Sequence, residues 1–498
     1  MNVNPITRLD YPDPDVIRVE DTYYMVSTTM HFMPGCEILQ SFDLVHWEHV
    51  TYVYETLDHT DAQQLKSGQN IYGQGMWAAS LRYHEGRFCI CFVANDTRKT
   101  YLYTSEKIDG PWKKQLIEGF YHDGSLLFDE DGRNYIVYGN DEIWITELNE
   151  DLTAPKKDGL HRLLVSDHKN PELGYEGSHI QKINGYYYIF LVHSLRDRWM
   201  RTEACFYSDS LEGEFTGGDV LCDDRGYCGQ GVAQGGIVDT PDGKWYAMLF
   251  QDSGAVGRIP ILLPVTWKDH FPFFGQNGHV PEEIEVHSTR PGYIYQPLVG
   301  SDDFCNGLLP RWQFNHDPDP RYYHLDALQG TYTITTREVC TELTQAVNTL
   351  TQRMSYPSCA AEVTVDASAL KEGDVAGLCA LQSCYAAVGI TKHHGKYEVL
   401  MLDKKEDGIL DMTGGTVVES HQMDFRLEAD FCNMKDEARC YYRVNKGDWL
   451  PIGTVHKLYF KLDHFTGCRF GLFCYAAEET GGSACFRDFK YYDVDEIS

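Results

Sequence analysis

Three acidic residues, Asp13, Asp123 and Glu176, begin equivalent segments of the chain although they stand far apart in the sequence. Two carboxylates on either side of a glycosidic bond are the standard apparatus for hydrolysing sugars, one acting as general acid and the other as base or nucleophile. Crowding of like charges raises the pKa of one member, which a general acid near neutral pH requires. A third carboxylate can keep that acid protonated and oriented. Trp77 begins a fourth such segment and offers a flat face on which a sugar ring can stack, and Gln234 begins the fifth.

These five residues begin five copies of one β-hairpin. Each copy alternates apolar residues, turns at a pair such as Asn184-Gly185, and resumes with an aromatic-rich strand. The copies are DPDVIRVEDTYYMV, WAASLRYHEGRFCICF, DGSLLFDEDGRNYIVY, EGSHIQKINGYYYIFL and QGGIVDTPDGKWYAML. A further turn motif such as SFDLVHW follows most copies and completes a four-stranded sheet. The sequence therefore predicts an all-β fold that begins with a five-bladed β-propeller, in which the five starting residues meet at one mouth of the channel.

The hairpin motif stops near residue 300. From there, alternating runs such as TYTITT, AAEVTVDASAL and YEVLMLD are separated by turn residues. This pattern is typical of a two-sheet β-sandwich. We place the boundary so that a propeller catalytic domain covers residues 1–298 and a sandwich accessory domain covers residues 299–498.

The composition limits the partners of the chain. Its 43 Lys plus Arg against 74 Asp plus Glu give a net charge of −31, which would repel nucleic acid. Neither an 18-residue apolar run nor an export signal over residues 1–15 is seen, so we expect no membrane partner and a cytoplasmic location. The 16 cysteines are interpreted as free and mostly buried thiols. Cys89 and Cys91 have no second ligand pair nearby, so no metal and no cofactor are predicted.

Six motifs, in order along the chain, resemble glycoside hydrolase family 43, the five-bladed propeller enzymes that act on arabinoxylan fragments. They are YPDPDVIR with DTYYMVST, SFDLVHW, GMWAASLRYHEGRF, HDGSLLFDEDGR, YEGSHI and QDSGAVGRIPILLPVTW. The likeness spans essentially the whole chain, because the C-terminal part resembles the concanavalin-A-like sandwich of two-domain β-xylosidases and α-L-arabinofuranosidases.

The resemblance implies a role for each carboxylate. Asp13 matches the general base, Glu176 the general acid, and Asp123 the residue that tunes and orients the acid. Arg258 matches a substrate-contacting arginine, which could also hold its neighbouring carboxylates ionised. Inversion of configuration is implied too. It requires the two catalytic carboxyls to stand roughly 6.5 to 9.5 Å apart, against about 5 to 5.5 Å in a retaining pair.

Further expectations concern residues near these motifs. His31 and Phe32 follow the first hairpin, where the family places aromatic walls of the terminal-sugar subsite, so the resemblance implies that they bind substrate together with Trp77. Gln234 is counted among the substrate-binding candidates, and it stands where many members carry a His tied to a central calcium or water cluster. Calcium is therefore possible but not expected. Asp15 replaces a Ser of many members and is expected to have a structural role.

The sequence thus predicts an exo-acting, inverting glycosidase that releases terminal α-L-arabinofuranose, β-D-xylose or both from arabinoxylan- or arabinan-derived oligosaccharides. Two alternatives stay open. A retaining fructosidase-like propeller is one, although its NDPNG-like, RDP and EC motifs are absent from the sequence. A non-catalytic carbohydrate-binding propeller is the other, although it would not need three acidic channel residues. The preferred pentoside, the linkage and the oligomeric state, including a homo-oligomer, also stay open.

Overall fold

The computed structural model describes residues 2–493, and the regular secondary structure of this range is almost entirely β-strand, as predicted. Five antiparallel four-stranded sheets form the five blades of the propeller. The strands are numbered in chain order. Blade 1 has β2 (Asp15–Val19), β3 (Thr22–Val26), β5 (Gly35–Ser41) and β6 (Glu48–Tyr54). Blade 2 has β7 (Met76–His84), β8 (Arg87–Ala94), β9 (Lys99–Ser105) and β10 (Lys113–Ile117), and blade 3 has β11 (Ser125–Phe128), β12 (Asn134–Asn140), β13 (Glu142–Leu148) and β14 (His161–Ser166). Blade 4 has β15 (Glu176–Ile183), β16 (Tyr186–Ser194), β17 (Arg201–Ser208) and β18 (Thr216–Leu221); blade 5 has β19 (Val232–Asp239), β20 (Trp245–Asp252), β21 (Arg258–Lys268) and β22 (Phe271–Phe274).

The inner hairpin of each blade is the repeat that the sequence displays. In blade 4, for example, β15 and β16 pair from Ile183 and Tyr186 outward. The turn between them uses Asn184 with φ 52° and Gly185 with φ 85°. Positive φ at both central residues gives a tight turn whose twist matches that of the strands, and Asn and Gly adopt it most easily.

A buried aspartate ties several blades together in the channel. Asp15, only 1% exposed, accepts the Leu81 N–H at 2.6 Å and Nη1 of Arg82 at 2.8 Å. Its other oxygen lies 3.0 Å from Nδ1 of His179, and Arg82 also donates to the carbonyl of Ile180 at 3.2 Å. Burial raises the pKa of Asp15, but Arg82 and His179 outweigh it and lower that pKa overall. Asp15 therefore has the structural role expected from the sequence.

The second half of the chain forms a sandwich of an eight-stranded and a seven-stranded sheet. The eight-stranded sheet contains, in spatial order, β32 (Leu410–Val418), β31 (Lys396–Lys404), β30 (Ala386–His393), β29 (Val375–Leu381), β36 (Arg469–Tyr475), β27 (Leu350–Arg353), β24 (Gln313–Asn315) and β4 (Phe32–Met33). The seven-stranded sheet contains β25 (Tyr323–Asp326), β26 (Thr331–Thr335), β37 (Ser483–Asp493), β28 (Ser358–Asp366), β33 (Gln422–Asp430), β34 (Glu437–Val444) and β35 (Leu450–Lys457). The apolar inner faces of both sheets share one large core.

The remaining elements are short. Strand β1 (Asn2–Val3) pairs with β23 (Glu283–Ile284), so the start of the chain is held beside the end of the propeller. The predicted boundary at residues 298/299 lies between β23 and β24. The helical elements of residues 2–493 are four single 3-10 turns, at Lys66–Gly68, Gly254–Val256, Leu343–Gln345 and Cys432–Met434. Within this range no helix has the length and apolar character needed to cross a membrane. All 16 cysteines are free thiols, and most are buried.

The two halves share a buried interface. Strand β4 follows the first hairpin of the propeller yet pairs with β24 of the sandwich, placing Phe32 opposite Asn315. Nearby, Nη1 of the buried Arg353 lies 2.9 Å from Oε2 of the buried Glu37, and its Nε donates to the carbonyl of Asp10 at 2.9 Å. Such paired and buried charges would be left without partners if the halves separated. The sandwich is therefore packed against the propeller as part of one unit.

Candidate active site

A cleft of about 870 Å³ opens at one mouth of the propeller channel and is bounded on the other side by the sandwich. All five residues that begin the inner hairpins line this cleft: Asp13, Trp77, Asp123, Glu176 and Gln234. Arg258, at the start of β21, lines it as well. The structure thus brings the three predicted catalytic carboxylates together with three of the five predicted substrate-binding residues.

Local backbone geometry directs these side chains towards the mouth. Asp13, Asp123 and Gln234 have φ values of 52°, 48° and 67°, in the left-handed region that L-residues rarely adopt. The strand register also shifts just after Glu176, where a β-bulge separates it from His179. Bulges and strained backbone of this kind recur where a strand must re-aim a functional side chain.

Asp13 is held by two polar partners. Thr28 Oγ1 donates to its Oδ2 at 2.6 Å, and Arg258 Nη1 donates to its Oδ1 at 3.2 Å. Both Asp13 and Arg258 are more than nine-tenths buried. The guanidinium of Arg258 also lies 4.4 Å from the ring centroid of Phe465, a sandwich residue. These two donors fix the position of the Asp13 carboxyl group.

Asp123 and Glu176 lie together on the neighbouring wall. The N–H of Gly177 donates to Asp123 Oδ2 at 3.0 Å, and Asn140 Nδ2 donates to Glu176 Oε2 at 2.7 Å. His122 stands between the two carboxylates, with its Nε2 3.6 Å from an oxygen of each. One ligand-type atom from each of His122, Asp123 and Glu176 falls within 4.8 Å of the others, and Asp13 lies outside this group. Asp123 and Glu176 therefore form a group with His122, whereas Asp13 is held by Thr28 and Arg258.

The close packing of these groups shifts two pKa values. Burial raises the pKa of Asp123, and the charges of Glu176 and Asp13 raise it further against the opposing effect of His122, to about 6. Burial alone would lower the pKa of His122, but the carboxylates of Asp123, Glu176 and Asp13 outweigh it and raise that pKa to about 9. Groups with shifted pKa values in a cleft are typical of catalytic proton transfer.

Gln234 occupies the floor of the cleft. Its N–H donates to Oε2 of Glu203 at 2.7 Å, and burial raises the pKa of Glu203 well above its usual range. A Cβ at Gly177 would lie 2.7 Å from Cγ of Gln234, so the glycine after Glu176 leaves room for this side chain. Gln234 lines the cleft where the sequence placed it.

His31 and Phe32 do not line the cleft, which corrects their expected role as walls of the sugar subsite. Both are fully buried between the propeller and the sandwich. Phe32 belongs to β4, and the guanidinium of Arg469 lies 3.4 Å from its ring centroid. His31 packs against His316 and His464 of the sandwich, with ring centroids 4.8 and 5.1 Å away. Because β4 joins the sandwich sheet, the loop after the first hairpin turns towards the interface.

Several cleft residues had no part in the site predicted from the sequence. His122 and Asn140 belong to blade 3, and His122 directly precedes Asp123 in the HDGS motif, which was the available signal. Trp199, Arg201 and Asp252 form a further part of the wall. The sandwich contributes Met434, Phe460, Lys461, Leu462 and Phe465. No local pattern marks these sandwich residues, because their place depends on how the two halves pack.

A calcium ion fits this cluster poorly. Calcium takes six to eight oxygen ligands, whereas the cluster offers one histidine and two carboxylates. Asp123 Oδ2 and Glu176 Oε2 also accept hydrogen bonds from Gly177 and Asn140.

A five-bladed propeller with three carboxylates at one mouth, covered by a β-sandwich, defines a glycosidase. The family model described as "Glycosyl hydrolases family 43" matches residues 3–272, more than half of the chain. A second, "Beta xylosidase C-terminal Concanavalin A-like domain", matches residues 301–492. The chain belongs to glycosyl hydrolase family 43.

Individual relatives agree with this assignment. A solved structure described as a bifunctional GH43-CE protein of Bacteroides eggerthii is 41% identical with a TM-score of 0.92; the match covers 99% of this chain but only 64% of that one. An engineered GH43 glycoside hydrolase, described as displaying both endo-xylanase and exo-arabinofuranosidase activity, is 27% identical with a TM-score of 0.89 over 99% of each chain. A beta-xylosidase of Formosa agariphila is 26% identical over 99% of this chain and 89% of its own.

Proposed function

We propose that this glycosidase removes single sugars from the end of a chain with inversion of configuration, releasing α-L-arabinofuranose, β-D-xylose or both from arabinoxylan- or arabinan-derived oligosaccharides. The names of the Formosa agariphila relative and of the engineered GH43 enzyme support the two pentosides. The two sugars present similar hydroxyl patterns to one pocket, so a single cleft can accept both.

The division of the carboxylates carries this proposal. Asp13, held in position by Arg258 and Thr28, is placed to take a proton from a water molecule as that water attacks the anomeric carbon. Glu176, on the other wall, protonates the departing glycosidic oxygen. Asp123 accepts the N–H of Gly177, the residue after Glu176, and so orients the acid. An inverting reaction needs a water-sized space between base and acid, and Asp13 does not belong to the group that His122, Asp123 and Glu176 form within 4.8 Å.

The exo mode follows from the residues that cover the cleft. Phe465 lies over Arg258, and Phe460 and Leu462 extend the same apolar cover. A polysaccharide running through would need an opening at both ends, whereas this cover favours a pocket that accepts one terminal sugar. Trp199, 43% exposed at the rim, is placed to stack on the sugar that remains after cleavage.

Product analysis tests the proposal. Purified enzyme would be incubated with 4-nitrophenyl β-D-xyloside, 4-nitrophenyl α-L-arabinofuranoside, xylobiose, xylotriose and arabinose-substituted xylooligosaccharides, and the anomer released first would be read by proton NMR. We expect single pentoses whose initial anomeric configuration is opposite to that of the substrate. Retention of configuration would indicate a fructosidase-like mechanism, and binding without turnover of any pentoside would indicate a carbohydrate-binding propeller. Asp129→Asn is the control, because this buried carboxylate of blade 3 is bound by Lys182 and Tyr187 outside the cleft.

A further inference from the structure

His122 faces the reaction without belonging to the three carboxylates. Its side chain is 21% exposed in the cleft, and its Nε2 lies 3.6 Å from both Asp123 Oδ2 and Glu176 Oε2. That is slightly longer than a hydrogen bond, so the interaction is chiefly one of charge. The Trp77 ring lies on the same wall, with centroids 6.0 Å apart. A cation so close to two carboxylates attracts both of them.

Four of the other charged residues of the cleft form two ion pairs, Asp13 with Arg258 and Asp252 with Arg201. Lys461 of the sandwich also lines the cleft, and its Nζ lies 2.9 Å from Oε1 of Glu406. Glu172 of the propeller lines the cleft as an exposed carboxylate. What remains on the catalytic wall is two carboxylates, Asp123 and Glu176, facing one imidazole. A single proton added to this pair makes the wall neutral when the imidazole is charged.

We propose that His122 is a positioning residue which, as an imidazolium, balances one charge of the Asp123–Glu176 pair, so that the pair holds the one proton delivered to the leaving group. This inference rests on the proposed function of the cleft. A neutral residue at position 122 would leave two carboxylates facing each other without a cation. The pair would then take up a second proton, and Asp123 would lose the charge with which it acts on Glu176.

The pKa shifts agree with this arrangement. His122 is charged up to about pH 9, and Asp123 is ionised above about pH 6. The charges of Glu176 and Asp13 are among the causes that raise the pKa of Asp123, and the charge of His122 opposes them. Loss of the His122 charge is therefore expected to raise the pKa of Asp123 further.

The pH dependence of kcat/KM tests the role of His122. We expect His122→Asn to move the limb that reports the carboxylate pair towards alkaline pH by about 1 to 3 units, since an adjacent opposite charge shifts a carboxyl pKa by that amount. Activity at pH 7 then falls about 2- to 100-fold and recovers at higher pH, while KM changes little. His49→Asn is the matched control, because His49 Nδ1 lies 3.1 Å from the buried Glu37 in the same propeller but outside the cleft. A profile for His122→Asn that parallels the wild type at every pH overturns the proposal.

A spectroscopic measurement on the wild-type enzyme does not depend on the folding of any variant. Nitrogen-15 NMR of histidine-labelled protein, assigned by the signal lost in His122→Gln, reports whether both ring nitrogens carry protons. We expect an imidazolium at pH 7 that titrates near pH 9. A neutral ring at pH 7 overturns the proposal even if the enzyme is active. An imidazolium in a protein that hydrolyses no pentoside would instead count against the proposed function.

Discussion

The propeller and the sandwich build opposite walls of one cleft from opposite kinds of side chain. The propeller wall contains the carboxylates Asp13, Asp123 and Glu176 with the cations His122 and Arg258, each held by partners on its own or a neighbouring blade. The sandwich wall contains Met434, Phe460, Leu462 and Phe465, and Lys461 is its charged member. The propeller therefore supplies the charged groups that react, and the sandwich shapes the cleft and excludes water from it.

Neither wall is sufficient for catalysis alone. Charges act more strongly on a reacting bond when water is kept away, because the local dielectric constant falls. The two walls are joined at Asp10, whose carboxylate accepts the N–H of Arg258 and the N–H of Gly467, each at 2.7 Å. Gly467 follows Phe465 by two residues. A single buried propeller residue therefore fixes Arg258 and the sandwich loop that covers it.

The largest expected effect comes from removing the charged groups of the propeller wall. Glu176→Ala and Asp13→Ala should each lower kcat/KM on 4-nitrophenyl pentosides about 10²- to 10⁴-fold, the usual contribution of a general acid or base. The two should differ on a 2,4-dinitrophenyl glycoside, whose leaving group needs no proton: Glu176→Ala should recover much of its activity and Asp13→Ala should not. Steady-state rates on the two substrates measure this. Equal recovery by both variants would contradict the assignment of acid and base.

The residues of the propeller wall could be predicted from the sequence, whereas those of the sandwich wall could not. The blades repeat, so equivalent strand starts converge by the symmetry of the propeller, and the meeting of Asp13, Asp123 and Glu176 could be read without coordinates. His31 was misplaced because the direction of its loop is set by the pairing of β4 with the sandwich, which no local pattern encodes. Phe465 was missed for the same reason. Its position results from the packing of two domains whose residues are hundreds of positions apart.

The second prediction concerns stability at the buried interface between the propeller and the sandwich. His31, His316 and His464 are buried there, and burial lowers the pKa of each, that of His464 to about 3. In the unfolded chain histidine titrates near 6.5. The unfolded state therefore binds more protons as the pH falls below about 6.5, and stability is lost on acidification and fully present above that pH. Each histidine contributes about 1.4 kcal/mol per pH unit, or about 2 kcal/mol between pH 6.5 and 5.

A variant isolates this effect from that of other titrating groups. His464→Gln cannot take up a proton, so its unfolding free energy should fall about 2 kcal/mol less than that of the wild type between pH 6.5 and 5. Denaturant unfolding or Tm at several pH values measures the difference. His46→Gln is the control, because His46 is 54% exposed on blade 1. Identical pH slopes for His464→Gln and the wild type would show that this histidine is not held neutral at the buried interface.

The third prediction removes part of the sandwich wall. Phe465→Ala uncovers Arg258 and admits water beside Asp13, at a cost of about 1.5 to 3 kcal/mol from lost apolar burial and cation–π contact. We expect kcat/KM to fall about 10- to 100-fold on every pentoside, less than after loss of a catalytic carboxylate. Phe273→Ala deletes an equally large side chain, 49% exposed on β22, and should leave the rate unchanged. If kcat/KM of Phe465→Ala equals that of the wild type, the sandwich wall does not contribute to catalysis.

The weakest of the predicted effects concerns Trp199 at the rim of the cleft, where the propeller itself supplies an apolar surface. Trp199 is 43% exposed, and the guanidinium of Arg201 lies 5.2 Å from its ring centroid. Stacking on the sugar beyond the cleaved bond is worth about 1 kcal/mol, so Trp199→Ala should raise KM for xylotriose about 3- to 10-fold. A 4-nitrophenyl monosaccharide has no such sugar, and its kinetics should change much less. Tyr83→Ala, which alters a 45% exposed aromatic at the other mouth of the channel, should affect neither substrate. Equal losses on both substrates would place Trp199 at the terminal sugar, and the aromatic contacts of that sugar would then come from both walls.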